Sequence, residues 1–301
     1  MADADRRIVP CRPRWKGTLS DRERFNRQMH YQSVDRCFNM EFGYWDENFT
    51  EWDLFRKNGI QNNAEADVFF NFDRTDVVSG CLGMNPVFKE TVISETATTR
   101  TLVNQDGLIA EVPLDGHDTI PHYIKASIVT PEDWHRVKEE RFRVDDPARR
   151  VDVEALRRQH PPGRDYPIGV HCGSMIGRIR DMLTFEGLAY ACYDYPDMVE
   201  DMVETACVLV EYSLDQVLGK IDFDYASGWE DIAFKNGPIV SLNFFKSVVV
   251  PRYRRIGRKL HAALMTPPMP SSRLGISGPP SHEISFVGAL VRIPASPVGD
   301  E

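Results

Sequence analysis

The sequence has no apolar run long enough to cross a membrane. Runs such as Val248-Val249-Val250 fall far short of the roughly 20 residues that a spanning helix needs. Residues 1–14 are charged and lack the apolar stretch of a secretion signal. No two of the six cysteines form a C-x-x-C pair, and their spacing indicates no disulfide framework. These features favour a cytoplasmic protein with free thiols.

The motifs of several common enzyme classes are also missing. The sequence contains no phosphate-binding P-loop, no G-x-G-x-x-G, no G-x-S-x-G and no H-E-x-x-H. Nucleotide-dependent and common hydrolase mechanisms therefore lose support. The formal net charge of −9 disfavours nucleic acid or an anionic membrane as the main partner. With 42% hydrophobic and 27% charged residues, the composition is that of a globular protein.

Apolar patterns predict strands that alternate with amphipathic helices. The predicted strands lie at 37–42, 67–78, 166–171 and 221–226. The predicted helices begin near Ser20, Trp45, Thr130, Asp197 and Asn243. Residues 87–112 alternate around Asp106-Gly107, which predicts a β-hairpin inserted into this scheme. Alternation of strand and helix is typical of parallel βαβ units, so the predicted fold class is α/β.

The two ends of the chain differ in composition from its middle. Residues 1–18 show no periodicity and are predicted to form a flexible tail. Residues 264–301 hold seven of the 20 prolines and no lysine. Proline removes a backbone donor and clashes with the preceding turn, so the helix predicted up to residue 263 cannot continue there. One interpretation is a natural proline-rich tail, and the other is sequence unrelated to the fold, such as a shifted reading frame.

An acidic and aromatic cluster ends the first predicted strand. It reads Glu41-Phe42-Gly43-Tyr44-Trp45-Asp46-Glu47. In a βα barrel the active site lies at the carboxyl ends of the strands, so this cluster is a candidate pocket wall. The alternative is that Tyr44 and Trp45 form a hydrophobic staple while the acidic residues cap the next helix.

Two further clusters follow later strands. His171-Cys172 ends the third strand, and imidazole and thiolate are common zinc ligands. The alternative is a pocket-lining histidine beside a buried cysteine, since no third ligand stands at a convincing spacing. The polar and aromatic segment 224–236 follows the fourth strand and contains Gly228, and loops of this kind often carry function. Asp73-Arg74 with Asp76 forms either a site element or a surface ion pair.

A series of short motifs follows a specific order between residues 20 and 263. They are Asp21-Arg22-Glu23-Arg24-Phe25, Val34-Asp35-Arg36, Gly43-Tyr44-Trp45-Asp46, Phe72-Asp73, Thr184-Phe185-Glu186-Gly187, Tyr195-Pro196-Asp197, Gly228-Trp229-Glu230-Asp231, Lys235-Asn236-Gly237-Pro238, Phe244-Phe245 and Pro251-Arg252-Tyr253. In this order they resemble the uroporphyrinogen decarboxylase superfamily. Its members include the decarboxylase of the haem pathway and the corrinoid-dependent methyltransferases.

The resemblance implies a (β/α)8 barrel that is incomplete in this chain. The barrel of that family continues well beyond the position of residue 263, and its later strands are not recognisable here. We therefore expect about four βα units plus the hairpin within 19–263, with 264–301 unrelated to the fold. Met40-Glu41-Phe42-Gly43-Tyr44 replaces the arginine-rich stretch of the true decarboxylases, and Ser227-Gly228-Trp229 replaces an Asp-Ser-Trp segment. These departures place the resemblance in the methyltransferase-like, uncharacterised branch.

Strand ends and resemblance together supply the candidate site residues. The candidate catalytic residues are Glu41, Asp224, Glu230 and Asp231. The candidate substrate-binding residues are Tyr44, Trp45, Asp46, Asp76, His171, Trp229, Lys235 and Asn236. The candidate zinc ligands are His171 and Cys172. We expect one shared cavity, at the carboxyl ends of the strands, for Glu41, Tyr44, His171, Asp224 and Trp229.

The function that the resemblance implies is methyl transfer linked to a corrinoid protein, or decarboxylation of a small molecule. The expected cofactors are zinc and a corrinoid partner, or none. One alternative is a truncated, inactive barrel fragment that persists as a homodimer or bound to a partner. Another alternative is a genuine uroporphyrinogen decarboxylase of porphyrin biosynthesis.

Overall fold

The computed structural model describes residues 7–115, 121–234 and 237–265. Its helices are α1 (Asp21–Met29), α2 (Asp46–Glu51), α3 (Asp53–Asn58), α4 (Asn63–Phe70), α5 (Pro131–Arg141), α6 (Val153–Gln159), α7 (Ile176–Asp194), α8 (Pro196–Val217), α9 (Leu242–Phe244) and α10 (Val250–Met265). Its strands are β1 (Asp76–Val78), β2 (Thr91–Glu95), β3 (Thr99–Val103), β4 (Ile109–Pro113), β5 (His122–Lys125), β6 (Ile168–His171), β7 (Tyr225–Ser227), β8 (Ala233–Phe234) and β9 (Gly237–Pro238). Within these residues, no helix combines the length and apolar character needed to cross a bilayer.

The chain divides into two compact units. The first consists of Met1–Asp76, Phe88–Lys125 and Gly163–Pro167, and the second of Val77–Val87, Ala126–Pro162 and Ile168–Glu301. The predictions for Lys235, Asn236 and residues 266–301 lie outside the described residues. Leu264 and Met265 were predicted to lie beyond the last helix, but they belong to α10, so that boundary is wrong. In the segment predicted as a flexible tail, Arg14 binds Asp73 at 2.6 Å and the amide of Thr18 binds Asp35 at 2.6 Å. Residues 14–18 are therefore tied to the first unit.

A three-stranded sheet of order β1-β6-β7 is the centre of the second unit. β6 and β7 are parallel, with Gly169 opposite Tyr225 and His171 opposite Ser227. Ile168 and Val170 are buried, as the apolar run at 166–171 predicts. The α/β class and the parallel pairing of the two later strands are thus confirmed, although β7 begins later than predicted.

The strand predicted at 37–42 does not form, and that prediction is wrong. The amide of Phe38 binds the side chain of Gln28 at 2.8 Å, and the amide of Asn39 binds Asp73 at 2.9 Å. One backbone hydrogen bond, from the amide of Asp73 to the carbonyl of Asn39, links this segment to its neighbour. Side chains thus satisfy amides that a strand would pair in a ladder.

The extended segment predicted at 68–70 is also wrong, because these residues end helix α4. Asn62 caps the helix by accepting from the amide of Glu65 at 3.0 Å. Ala66 and Phe69 are buried at i and i+3, so the apolar run is one face of a helix. Of the strand predicted at 67–78, only β1 remains.

The inserted hairpin is confirmed and extended to four strands. β3 and β4 are antiparallel, with Thr101 opposite Glu111, and Gly107 takes the positive φ of 82° that their turn requires. β2 and β5 complete an antiparallel sheet of order β2-β3-β4-β5. This sheet belongs to the first unit, whose apolar cluster contains Phe55, Ile60, Ala66 and Phe69.

Helix boundaries largely follow the capping residues. Ser20 caps α1 through the amide of Glu23 at 3.1 Å, and Thr130 caps α5 in a capping box with Asp133. The helix predicted over 45–57 is broken at Trp52, whose extended backbone separates α2 from α3. Gly59 ends α3 in the left-handed conformation, as predicted.

Helix α7 is kinked at Thr184. The φ of 68° and ψ of 170° at this position are strained for a β-branched residue. The Thr184 hydroxyl accepts from the amide of Gly187 at 3.2 Å and so caps the second half of the helix. The two halves of α7 therefore run in different directions on either side of Thr184.

Asp73 is the buried centre of a charge network in the first unit. Its carboxylate accepts from Arg14 at 2.6 Å and from Arg36 at 2.5 Å, in addition to the Asn39 amide. Burial alone would raise the pKa of Asp73, but the hydrogen bonds from Arg36, Asn39 and Arg14 outweigh it and hold the pKa at about 2.

We expect the first unit to lose stability as the pH falls from about 4 to about 2. A carboxylate with a depressed folded pKa stabilises the fold above its unfolded pKa of about 3.9, and that contribution disappears as the group takes up a proton. Asp73→Asn should lower the free energy of unfolding by about 2 kcal/mol at pH 7 and flatten this acid dependence. Urea unfolding at a series of pH values measures both, with the exposed Asp46→Asn as control. Equal effects of the two substitutions would contradict the network.

Candidate functional site

In the second unit, a cavity of about 240 Å³ lies at the carboxyl ends of the three strands of the β1-β6-β7 sheet. Ser79 and Gly80 follow β1, His171 ends β6, and Trp229 follows β7. The remaining lining residues come from the adjoining loops and helices and are Leu82, Gly83, Met84, Trp134, Phe142, Gly173, Ser174, Arg178, Ile179, Met182, Met202, Ala206 and Val210. This edge is where open α/β sheets bind their ligands.

His171 and Cys172 have different surroundings. His171 lines the cavity, and burial lowers the pKa of its imidazole, so the ring is neutral at neutral pH. Cys172 is buried in the core, where its thiol faces the carbonyl of Val170 at 3.9 Å. Burial raises the pKa of this thiol to about 12, which opposes the thiolate form that zinc requires.

The two residues therefore do not fit a shared zinc site. Among the described residues, no three histidine, cysteine, aspartate or glutamate side chains come together as ligands for a metal ion. The structure agrees with the alternative interpretation, a pocket-lining histidine beside a buried cysteine.

Trp229 forms one wall of the cavity by lying against the start of α7. Its amide donates to the carbonyl of Gly173 at 3.1 Å. A Cβ atom at Gly177 would lie 2.4 Å from the Trp229 ring and 2.6 Å from the Ser174 hydroxyl. Only glycine at position 177 leaves room for the indole in this place.

Glu230 caps α7 from the neighbouring loop. Its carboxylate accepts from the amides of Met175 at 2.6 Å, Ile176 at 3.1 Å and Gly177 at 3.0 Å. It also accepts from the hydroxyls of Ser174, at 3.0 Å, and Tyr253. A carboxylate at this position satisfies amides that have no partner inside the helix and complements the helix dipole. The structure thus gives Glu230 a capping position at the start of α7, and Glu230 is not among the residues that line the cavity.

The other two acidic candidates of this unit lie elsewhere. The Asp224 carboxylate accepts from the amide of Ile168 at 2.9 Å, and Ile168 is the first residue of β6. Asp224 is therefore at the opposite end of the sheet from the cavity, and its expected place there is wrong. Asp231 is exposed and pairs with Arg180. Among the described residues of the segment 224–236, Trp229 is the one that lines the cavity.

In the first unit, Glu41 and Asp76 line a separate hollow of about 380 Å³. Glu41 accepts from the amide of Phe42 at 2.8 Å, and Asp76 forms an exposed ion pair with Arg74 at 2.9 Å. The lining of the hollow thus contains four acidic residues and one arginine, namely Glu41, Asp67, Asp73, Asp76 and Arg74.

The remaining candidates of the first unit do not line this hollow. Tyr44 packs edge-on against Phe55 with ring centroids 5.0 Å apart, as part of the apolar cluster. Trp45 is the N-terminal boundary of α2, and Asp46 is its first residue. Tyr44 agrees with its part in the alternative staple, and Asp46 and Glu47 lie in the first turn of α2. Trp45 is 65% exposed, which disagrees with its part in the staple.

Several cavity residues were not anticipated from the sequence. Arg178 and Met182 lie one helical turn apart on α7, and Met202 belongs to α8. Their spacing resembles that of ordinary core and surface positions. Gly177 carried a usable signal, since a glycine in the first turn of a helix after a strand marks close packing.

Gly177→Ala should displace the Trp229 indole and lower the free energy of unfolding by about 2 kcal/mol, because the new methyl group overlaps the ring. Gly187→Ala is the matched control in the same helix, where the added Cβ would meet Leu183 and Thr184 at an ordinary 3.5 Å. That substitution should be neutral or stabilising. Urea unfolding of both variants measures these changes. If Gly177→Ala left the free energy of unfolding unchanged, the indole of Trp229 would not lie against position 177.

Comparisons with protein-family models, with curated proteins and with solved structures gave no match to this chain.

Proposed function

We propose that the chain is an enzyme that binds a small organic carboxylate with an apolar body in the cavity of the second unit. The observation that carries this proposal is the meeting of the segments after β1, β6 and β7 around one cavity. In parallel α/β folds, catalytic and binding groups are concentrated at this edge. A volume of about 240 Å³ lies just below the roughly 300–1,000 Å³ of typical ligand cavities, which disfavours a tetrapyrrole such as uroporphyrinogen.

The walls of the cavity suit an apolar or aromatic body. Trp134 and Phe142 lie on one side in an aromatic pair with centroids 5.3 Å apart. Met182 and Met202 are buried beside them. Flat rings and flexible thioethers provide a large contact area for a planar ligand.

Arg178 supplies positive charge at the same cavity. Arg178 is one of the lining residues, and its Nη1 donates to Asp181 at 3.1 Å, which holds the side chain in place. A guanidinium has five N–H donors in a planar fork that matches the geometry of a carboxylate. In our proposal, Arg178 orients the acid group of the substrate.

His171 is the group suited to moving a proton. As a neutral imidazole on the cavity wall it can accept a proton from a bound substrate and return it. Ser174 and Ser79 contribute hydroxyls to the same lining.

The reaction class in this proposal follows the resemblance to the uroporphyrinogen decarboxylase superfamily. It is either methyl transfer to or from a corrinoid protein, or decarboxylation. The three neighbouring strands would then be units of an incomplete (β/α)8 barrel. Decarboxylation releases carbon dioxide and leaves an electron pair on carbon that takes up one proton. Mass spectrometry of carboxyl-labelled acids detects that release, and methyl transfer is detected with a cobalamin acceptor.

Binding is tested with 4-fluorobenzoate as a ¹⁹F NMR probe. A ligand of this size should bind with a dissociation constant of about 1 mM. Arg178→Gln should weaken binding about tenfold, as expected for one charged hydrogen-bonded contact. Arg180→Gln, two residues along the same helix and outside the cavity lining, should leave it unchanged.

The neutral analogue 4-fluorobenzyl alcohol should bind equally to the wild type and to Arg178→Gln. Absence of saturable binding of 4-fluorobenzoate, or equal weakening by both arginine substitutions, would overturn the proposed site.

A further inference from the structure

We infer that Tyr253 is a positioning residue of the cavity, which acts through Glu230 on Trp229. Its consequence for ligand binding rests on the proposed function, whereas its effect on Trp229 does not. Tyr253 is not among the residues that line the cavity, and its hydroxyl donates a hydrogen bond to Glu230, the neighbour of the lining residue Trp229.

Helix α10 holds Tyr253 in a fixed orientation. Tyr253, Ile256 and Leu260 are buried at i, i+3 and i+7 and form the inner face of the helix. On the flanks, Arg252 binds Glu200 at 2.8 Å and Glu204 at 2.9 Å. Arg255 binds the same Glu204 at 2.6 Å. These pairs join α10 to α8, so the phenol ring has little freedom to turn away from Glu230.

The Tyr253 hydroxyl stays protonated and so remains a hydrogen-bond donor to Glu230. Burial, and then the neighbouring Glu230 carboxylate, raise the pKa of this phenol above its ordinary value. The group therefore keeps its proton throughout the physiological range. A carboxylate is a strong acceptor, and a charged hydrogen bond of this kind fixes the acceptor more firmly than a neutral one.

Glu230 transmits this constraint to the cavity wall. It is the residue next to Trp229, and its carboxylate is bound on one side by the start of α7 and on the other by Tyr253. The Trp229 backbone is held by Gly173 and its ring lies against Gly177. Gly173 and Trp229 both line the cavity. A shift of the carboxylate therefore moves the indole wall.

The test uses Tyr253→Phe in the full-length chain labelled with 5-fluorotryptophan. The substitution keeps the ring and removes only the hydroxyl, and Trp229→Phe assigns the resonance of Trp229. We expect the Trp229 resonance of Tyr253→Phe to shift or broaden without any ligand, while that of Trp45, in the first unit, stays unchanged. The dissociation constant for 4-fluorobenzoate should rise about fivefold. Tyr193→Phe, at an exposed tyrosine of α7, should change neither quantity.

Glu230→Gln is a second variant that tests the effect on the Trp229 resonance. It keeps the size of the side chain but weakens its bond to the Tyr253 hydroxyl, so it should disturb the same resonance. An unchanged Trp229 resonance in Tyr253→Phe, even with a lowered melting temperature, would overturn the inference and leave Tyr253 a purely structural residue. If the wild type does not bind 4-fluorobenzoate, the proposed function fails, and the ligand-free resonance still decides on Tyr253.

Discussion

Glu230→Ala should lower the free energy of unfolding by about 4 kcal/mol, in spite of the position of this residue in a surface loop. The carboxylate satisfies three amides at the start of α7 and two hydroxyls. Each buried donor that loses its partner costs about 1–3 kcal/mol. Contributions of donors that share one acceptor are not additive, so the total is smaller than the sum. Urea unfolding measures the loss.

The control is Glu186→Ala, an exposed glutamate on the same helix. Surface substitutions of this kind change stability by less than about 0.5 kcal/mol. If Glu230→Ala were as mild as Glu186→Ala, the capping contacts would contribute nothing, and a role for Glu230 in acid–base chemistry would regain support.

Arg149→Ala should cost about 4 kcal/mol as well, and it should also weaken ligand binding. Its side chain is fully buried. The guanidinium donates to the carbonyls of Cys81 at 2.6 Å, Gly83 at 3.0 Å, Arg141 at 2.9 Å and Arg143 at 2.8 Å. Truncation leaves those carbonyls without this donor and opens a space in the core.

The consequence for the cavity follows from the position of the loop that Arg149 holds. Leu82 and Gly83 line the cavity and belong to the segment anchored by this guanidinium. Arg149→Lys should recover part of the stability, because the ammonium group keeps some hydrogen-bond donors. The recovery should be incomplete, because an ammonium group has fewer donors than a guanidinium and no planar fork. Arg150→Ala, the exposed neighbour, is the control. Thermal unfolding and the ¹⁹F titration should show a larger loss of stability and of ligand affinity for Arg149→Ala than for Arg150→Ala. Equal losses for the two variants would contradict the anchoring role of Arg149.

Local patterns predicted much of the fold because short-range chemistry determines them. Ser20 and Thr130 act as helix caps, and Gly59 ends a helix. The turn at Asp106-Gly107 joins two antiparallel strands. In each case the deciding contacts lie within a few residues along the chain.

The two failed strand predictions have different physical causes. The segment 37–42 alternates like a strand, yet Gln28 and Asp73 bind its amides from distant parts of the chain. The apolar run at 68–70 fits a strand and a helix equally well, and a cap at Asn62 selects the helix.

The candidate site also contains both successful and failed predictions. His171 and Trp229 were predicted as cavity residues because the rule on strand ends needs only the strand positions. Asp224 was placed wrongly because its strand begins after it, and the sequence overestimated the length of β7. The capping position of Glu230 depends on the meeting of a loop with the start of α7, which no local pattern shows.

The most direct test of the account is a crystal soaked with 4-bromobenzoate and measured at the bromine absorption edge. We predict an anomalous peak in the cavity of the second unit, between Trp229 and Met202, with the carboxylate directed towards Arg178. A peak in the hollow beside Glu41, or no peak at a ligand concentration well above 1 mM, would contradict the claim that the carboxyl ends of β1, β6 and β7 form the ligand site.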